Sequence, residues 1–115
     1  MSRPLEGLRV ADFSWVGAGP LATRVLAIYG ADVIKVESNA KIDGLRHSPP
    51  FRDGVRGVNR SGYFADRNPD KRSMLLNLKT EEGKRLARLL VSKCDIVANN
   101  FTPGVMERFG LGYDN

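Results

Sequence analysis

Between Leu8 and Glu37 the chain reads as a strand, a glycine turn, an apolar helix and a second strand, joined with almost no slack. Residues 8–13 alternate around a β-branched position, the pattern of a strand. Residues 14–19 form a turn, and Pro20 suits the first position of a helix, where a missing N–H costs nothing. The helix is expected over residues 20–29. Leu21, Ala22, Val25, Leu26, Ala27 and Ile28 make it apolar almost all round, so it should be largely buried. Gly30 stops it, and residues 31–37 form the second strand. Two strands separated by one helix and short joints must lie parallel, with the helix packed on one face of the sheet.

The rest of the chain repeats this logic. Residues 38–72 are irregular, with Pro49-Pro50, several glycines and a short helix expected around Gly62 to Arg67. A loop of this length inside a compact domain is usually functional or disordered. Residues 73–78 read as a third strand. Thr80 is a helix N-cap, with Glu81 and Glu82 in the first turn, where negative charge suits the helix dipole. The helix over residues 81–93 carries Leu86, Leu89, Leu90 and Cys94 on one side. Residues 95–99 form a fourth strand, and Pro103 introduces a last helix, residues 104–109, ended by Gly110. The order predicts an α/β layered fold, a parallel sheet with flanking helices. Four strands and three main helices make a thin core for a sheet that needs both faces covered. Residues 1–115 are therefore expected to be a fragment of a larger protein.

Composition narrows the class. No stretch approaches the roughly 18 apolar residues of a transmembrane helix, and Arg3 and Glu6 stand where the apolar core of a secretory signal would begin. Cys94 is the only cysteine, which excludes an internal disulfide and favours a reducing, cytoplasmic setting. The net charge of +5 is concentrated in residues 37–72, which hold eight basic and five acidic side chains. A basic loop suggests an anionic partner, either nucleic acid or a phosphorylated small molecule. Nucleic acid has little else in its favour: there is no RNP motif, no helix-turn-helix pattern and no basic helix with interleaved aromatics.

In open α/β sheets, ligands bind beyond the carboxyl ends of the strands. Gly17-Ala18-Gly19-Pro20-Leu21-Ala22 lies there and matches G-x-G-x-x-G/A, with Glu37 twenty residues beyond Gly17. That is the NAD-type dinucleotide fingerprint. Ser14, Trp15 and Val16 displace the first glycine from the strand, however, and Pro20 removes an N–H that a pyrophosphate would need. A glycine turn leading into a buried helix reads the same way. His47 has no companions at metal-ligand spacing, and Cys94 ends an apolar stripe like a structural thiol. Asp12 at the sheet edge is either catalytic or a partner for neighbouring loop backbone. The segments 68–73, 76–79 and 99–104 are more informative, because they gather cations, amides and Phe101 at one edge. Such a set suits a ligand with phosphates and a flat base.

Together these blocks resemble the family III CoA-transferases, the group that includes formyl-CoA transferase, carnitine CoA-transferase and α-methylacyl-CoA racemase. The resemblance runs from Pro4-Leu5-Glu6-Gly7-Leu8-Arg9-Val10 through Ala18-Gly19-Pro20 and Gly30-Ala31-Asp32-Val33-Ile34-Lys35-Val36-Glu37. It is strongest in Lys71-Arg72-Ser73, Leu76-Asn77-Leu78-Lys79 and the run from Asn100-Phe101-Thr102-Pro103-Gly104 to Tyr113. Only residues 38–60 fit loosely.

The resemblance implies an enzyme that moves coenzyme A from an acyl-CoA to a carboxylic acid. CoA is then a substrate, with no permanently bound cofactor and no metal. Members are several times longer than this chain and form interlocked homodimers around a Rossmann-like CoA-binding domain. An Asp carboxylate is the nucleophile. In the family pattern it falls beyond Asn115, and Asp12, Asp66, Asp70 and Asp95 do not match it. The racemase members share this N-terminal pattern but shift a proton beside the thioester. Carried over by motif, the CoA contacts are Gly17 and Ala18, Leu76, Asn77, Leu78 and Lys79, Asn100, Phe101 and Thr102, and Arg108. Many members place Arg directly after the second-strand Glu, for the adenosine end. Here Ser38 stands in that place, and Lys41 is the neighbouring cation that could substitute.

Overall fold

A computed structural model describes residues 2–115. Its strands are β1 (Arg9–Asp12), β2 (Asp32–Glu37), β3 (Arg72–Leu75) and β4 (Ile96–Ala98). They form one parallel sheet in the order β3-β2-β1-β4. The first two crossovers step from β1 to β2 to β3. The third leaps back across β2 and β1 to place β4 on the other side. The chain after β1 and the chain after β4 therefore leave adjacent strands in different directions, which opens a crevice at the carboxyl edge.

The helices are α1 (Ala18–Ile28), α2 (Gly62–Arg67), α3 (Glu81–Ser92) and α4 (Val105–Arg108). Successive strand residues point to opposite faces, and two cores result. Val10 and Val33 meet Ala27 of α1, whereas Ala11 and Val36 meet Ala87 of α3 and Met106 of α4. The α3 core is the larger, drawing in Leu76, Leu78, Leu90, Val91, Cys94, Phe101 and Phe109.

Three expectations need correction. Helix α1 starts at Ala18, so Pro20 occupies its third position, not its first. The opening N–H groups of a helix have no intrahelical partner, so proline is tolerated there too. Nor is α1 largely buried: Pro20, Thr23 and Ala27 are, but Leu21, Val25 and Ile28 remain more than 40% exposed. Finally, α3 packs through Gly83, Ala87, Leu90, Val91 and Cys94, while Leu89 faces outward. The helical stripe was shifted by Gly83, which has no side chain to mark it as buried. A Cβ there would lie 1.9 Å from the Asn77 carbonyl oxygen. Glycine thus lets α3 seat directly on the turn after β3. Thr80 caps α3 as expected, its hydroxyl accepting from Gly83 N–H at 3.0 Å.

Candidate functional site

Beyond the carboxyl ends of the strands lies a groove of about 510 Å³. Its floor is apolar: Phe13 after β1, Val36 of β2, Leu76 and Leu78 after β3, Phe101 after β4, and Val105 and Phe109 around α4. Strand β3 ends at Leu75, shorter than its apolar sequence implies: Leu76 N–H still donates to the Glu37 carbonyl at 2.8 Å, and the chain then turns so that Leu76 and Leu78 form this wall. Asn77 holds the turn, its side-chain Oδ1 accepting from Lys79 N–H at 3.1 Å and its carbonyl from the Thr80 hydroxyl at 2.9 Å.

Lys41, Lys79 and Arg108 stand on the rim. Among the described residues none of them pairs with a carboxylate, whereas most other cations here do. An apolar trough bordered by uncommitted cations suits a long molecule with an apolar or flat body and anionic groups. Lys41 is carried there by a tight turn in which its N–H donates to the Ser38 carbonyl at 3.2 Å. Its ammonium lies 5.5 Å from the centroid of the Trp15 ring.

Seven of the residues expected from the sequence come together here: Leu76, Asn77, Leu78, Lys79, Phe101, Thr102 and Arg108. Gly17, Ala18 and Asn100 do not line the groove. Gly17 caps α1 and Ala18 opens it. Asn100 turns its amide to the backbone of Trp15, accepting from its N–H at 2.9 Å and donating to its carbonyl at 2.7 Å. Trp15, Phe13 and Val105 line the groove and were not anticipated. The single tryptophan in the turn after the first strand was the available signal.

Beneath the groove edge sits a buried set of charges. Asp12, fully buried, accepts from Ser14 N–H at 2.9 Å and from the hydroxyls of Ser14 at 2.5 Å and Thr23 at 2.6 Å. Lys71 Nζ lies 3.1 Å from the same carboxylate. Burial lowers the Lys71 pKa, with Asp12 opposing the shift. Every oxygen of Asp12 is engaged, so this residue ties loop to helix. Glu37 is equally committed. Arg46 grips it with two hydrogen bonds, at 2.7 and 2.9 Å, and Asp43 N–H donates to it at 2.9 Å. Burial pushes the Glu37 carboxyl up, but Arg46, the Asp43 N–H and Lys35 outweigh it and hold the pKa below its ordinary value. The dinucleotide reading therefore loses the carboxylate it needs for a ribose. Gly19 has a packing reason as well: a Cβ there would lie 2.4 Å from Ser14 Cβ. Cys94 packs against the α3 core, and burial raises its pKa, as for an inert thiol. His47 is exposed at the end of a short 3₁₀ turn.

The model of CoA-transferase family III matches residues 5–115 of the chain. The chain belongs to CoA-transferase family III. Among relatives of this family, it is 45% identical over 114 residues to an acyl-CoA transferase of Fusarium pseudograminearum, covering 96% of this chain and 25% of that protein. It is 41% identical to a formyl-CoA:oxalate CoA-transferase of Escherichia coli, covering all of this chain and 27% of the relative. A crystal structure of a CAIB/BAIF family protein from Brucella suis superposes with a TM-score of 0.85 at 40% identity, over 99% of this chain and 30% of that one. The chain thus spans between a quarter and a third of the family members it matches, and the sheet described above is part of a larger domain. No helix among the described residues is long and apolar enough to cross a membrane.

Proposed function

We propose that this chain supplies the CoA-binding part of an enzyme that transfers coenzyme A from an acyl-CoA to a carboxylic acid. The observation that carries the reading is the groove itself, an apolar trough whose rim holds Lys41, Lys79 and Arg108, none paired with a carboxylate among the described residues. CoA has a thin pantetheine arm, a flat adenine and several phosphate charges, and each has a counterpart in such a trough. Phe101, Leu76 and Leu78 would pack on the uncharged parts. Lys79 and Arg108 would meet phosphates, Arg108 with a two-pronged contact that a lysine lacks.

The chemistry would belong to a polypeptide extending beyond Asn115. There an Asp carboxylate would attack the acyl-CoA carbonyl, giving a mixed anhydride and releasing CoA thiolate. The thiolate would return to the aspartyl carbonyl, expelling the donor acid and leaving an enzyme thioester from which the acceptor acid takes CoA. The full enzyme would work as an interlocked homodimer in the cytoplasm. Racemisation of an acyl-CoA is the second reading, since it would use the same groove with different downstream residues.

Calorimetric titration of the chain with CoA and with NAD tests the binding proposal. CoA should bind and NAD should bind far more weakly, because Glu37 is committed to Arg46. Tighter binding of NAD would replace this reading with the dinucleotide one. For the extended polypeptide, transfer of CoA between two acids, against exchange of the proton beside the thioester, separates transferase from racemase.

A further inference from the structure

We infer that Lys35, Asp43 and Asn100 form a clamp that fixes Trp15 as a rigid aromatic wall of the groove. Two peptide groups flank Trp15, and all four of their polar atoms are held by these three side chains. The Ser14 carbonyl accepts from Lys35 Nζ at 2.9 Å, and Trp15 N–H donates to Asn100 Oδ1 at 2.9 Å. On the other side the Trp15 carbonyl accepts from Asn100 Nδ2 at 2.7 Å, and Val16 N–H donates to Asp43 Oδ1 at 3.0 Å. The clamping residues come from β2, from the loop after it and from the loop after β4, so three separate parts of the fold converge on one residue.

Two further observations give the clamp its meaning. Val16 has φ of +66°, a conformation a β-branched residue adopts only when its surroundings impose it. Its side chain is half exposed, so no burial compensates for the strain. The clamp is also built on a buried ion pair, Lys35 Nζ to Asp43 Oδ2 at 2.8 Å, with the two side chains 3% and 0% exposed. An apolar pair of similar size is often as stable as a buried ion pair. What apolar side chains cannot do is hold a carbonyl on one side of Trp15 and an N–H on the other. The result is an indole set edge-on to Phe101, ring centroids 5.8 Å apart, on the groove wall. These three residues are positioning residues. The clamp stands on geometry alone, whereas its effect on affinity rests on the CoA reading above.

Trp15 is the only tryptophan, so intrinsic fluorescence reports on it without interference. The unaltered chain is compared with Asn100→Ala, with Asn100→Asp, and with the double variant Lys35→Met/Asp43→Leu, which removes both buried charges together. Asn100 is exposed, so Asn100→Ala keeps the test alive if the double variant does not fold. In Asn100→Ala and the double variant, acrylamide quenching of Trp15 should rise and its anisotropy should fall while a cooperative melt persists. Asn100→Asp keeps one of the two Asn100 contacts and should lie between. CoA affinity should fall about three- to tenfold in parallel, the cost of ordering a loosened aromatic residue on binding. Unchanged quenching and anisotropy in folded Asn100→Ala would overturn the clamp. A mobile Trp15 with unchanged CoA affinity would overturn its role as a groove wall. If the unaltered chain binds no CoA, the proposed function fails, and the quenching comparison still decides the clamp.

Discussion

The ammonium of Lys41 rests 5.5 Å from the centre of the Trp15 ring, and no carboxylate among the described residues competes for it. The four-residue turn beginning at Ser38 brings it there, so the loop after β2 delivers a cation to the groove. If this cation serves the adenosine end of CoA, its effect should depend on the 3′-phosphate. Lys41→Met should weaken CoA binding about two- to fivefold, in line with an exposed charge contact. Binding of 3′-dephospho-CoA should barely change, and the difference should shrink as salt is raised. Paired titrations at two ionic strengths check this. Equal losses for both ligands would remove Lys41 from the phosphate.

Arg108 also lines the groove, at the end of α4. Arg108→Ala should cost about tenfold or more in CoA affinity, the scale of a charge-assisted contact. Arg108→Lys should recover part of it, because lysine keeps the charge but not the fork. Melting curves of the same variants separate this from a helix-end effect, which would lower the melting temperature and leave the affinity intact.

Asp12 is a stability residue. Asp12→Ala leaves Lys71 as a buried cation without its carboxylate, and removing one partner of such a pair costs about 3–5 kcal/mol. Asp12→Asn keeps acceptor capacity for Ser14 and Thr23 and should be less damaging. Urea denaturation of both variants provides the comparison. A stability equal to the unaltered chain in Asp12→Ala would contradict the role assigned to it.

Acid should loosen the base of the groove through Glu37. Its carboxyl titrates lower in the folded chain than its ordinary value of 4.5. The stabilisation is therefore present above that value and is lost as pH falls through the folded pKa. Denaturation free energies measured from pH 7 downward should decline in this window, and the decline should be shallower in Glu37→Gln. An identical acid slope in the two proteins would show that the Arg46 pair does not contribute.

Local signals were read well where one interaction decides the structure. Thr80 caps α3 because a hydroxyl before Glu81 and Glu82 has few other uses, and α2 spans Gly62–Arg67 as its sequence suggests. The parallel sheet followed from the strand–helix–strand spacing. Burial was harder to read. The apolar surface of α1 shows what can be buried but not what lies against it, so Leu21 and Val25 were assigned to a core they do not enter. Leu76 and Leu78 read as strand because a groove wall and a sheet core demand the same residues. Lys35 and Glu37 alternate with apolar neighbours and look like a solvated strand face, yet they are buried on Asp43 and Arg46, which are distant enough in sequence to hide the pairing. Asn100 was expected to touch a ligand, since an amide at a sheet edge carries no mark of whether it will serve ligand or backbone.

If CoA lies in the groove between the β3 and β4 loops, the amides that line it should sense the ligand. Backbone amide chemical shifts of isotope-labelled chain, recorded as CoA is added, test it most directly. Saturable shifts should be confined to Leu76, Asn77, Leu78, Lys79, Phe101, Thr102 and the neighbourhood of Trp15 and Arg108. Shifts clustered elsewhere, for example around Arg88, Ser92 and Asn115 on the far side of α3, or no shifts at millimolar CoA, would contradict it.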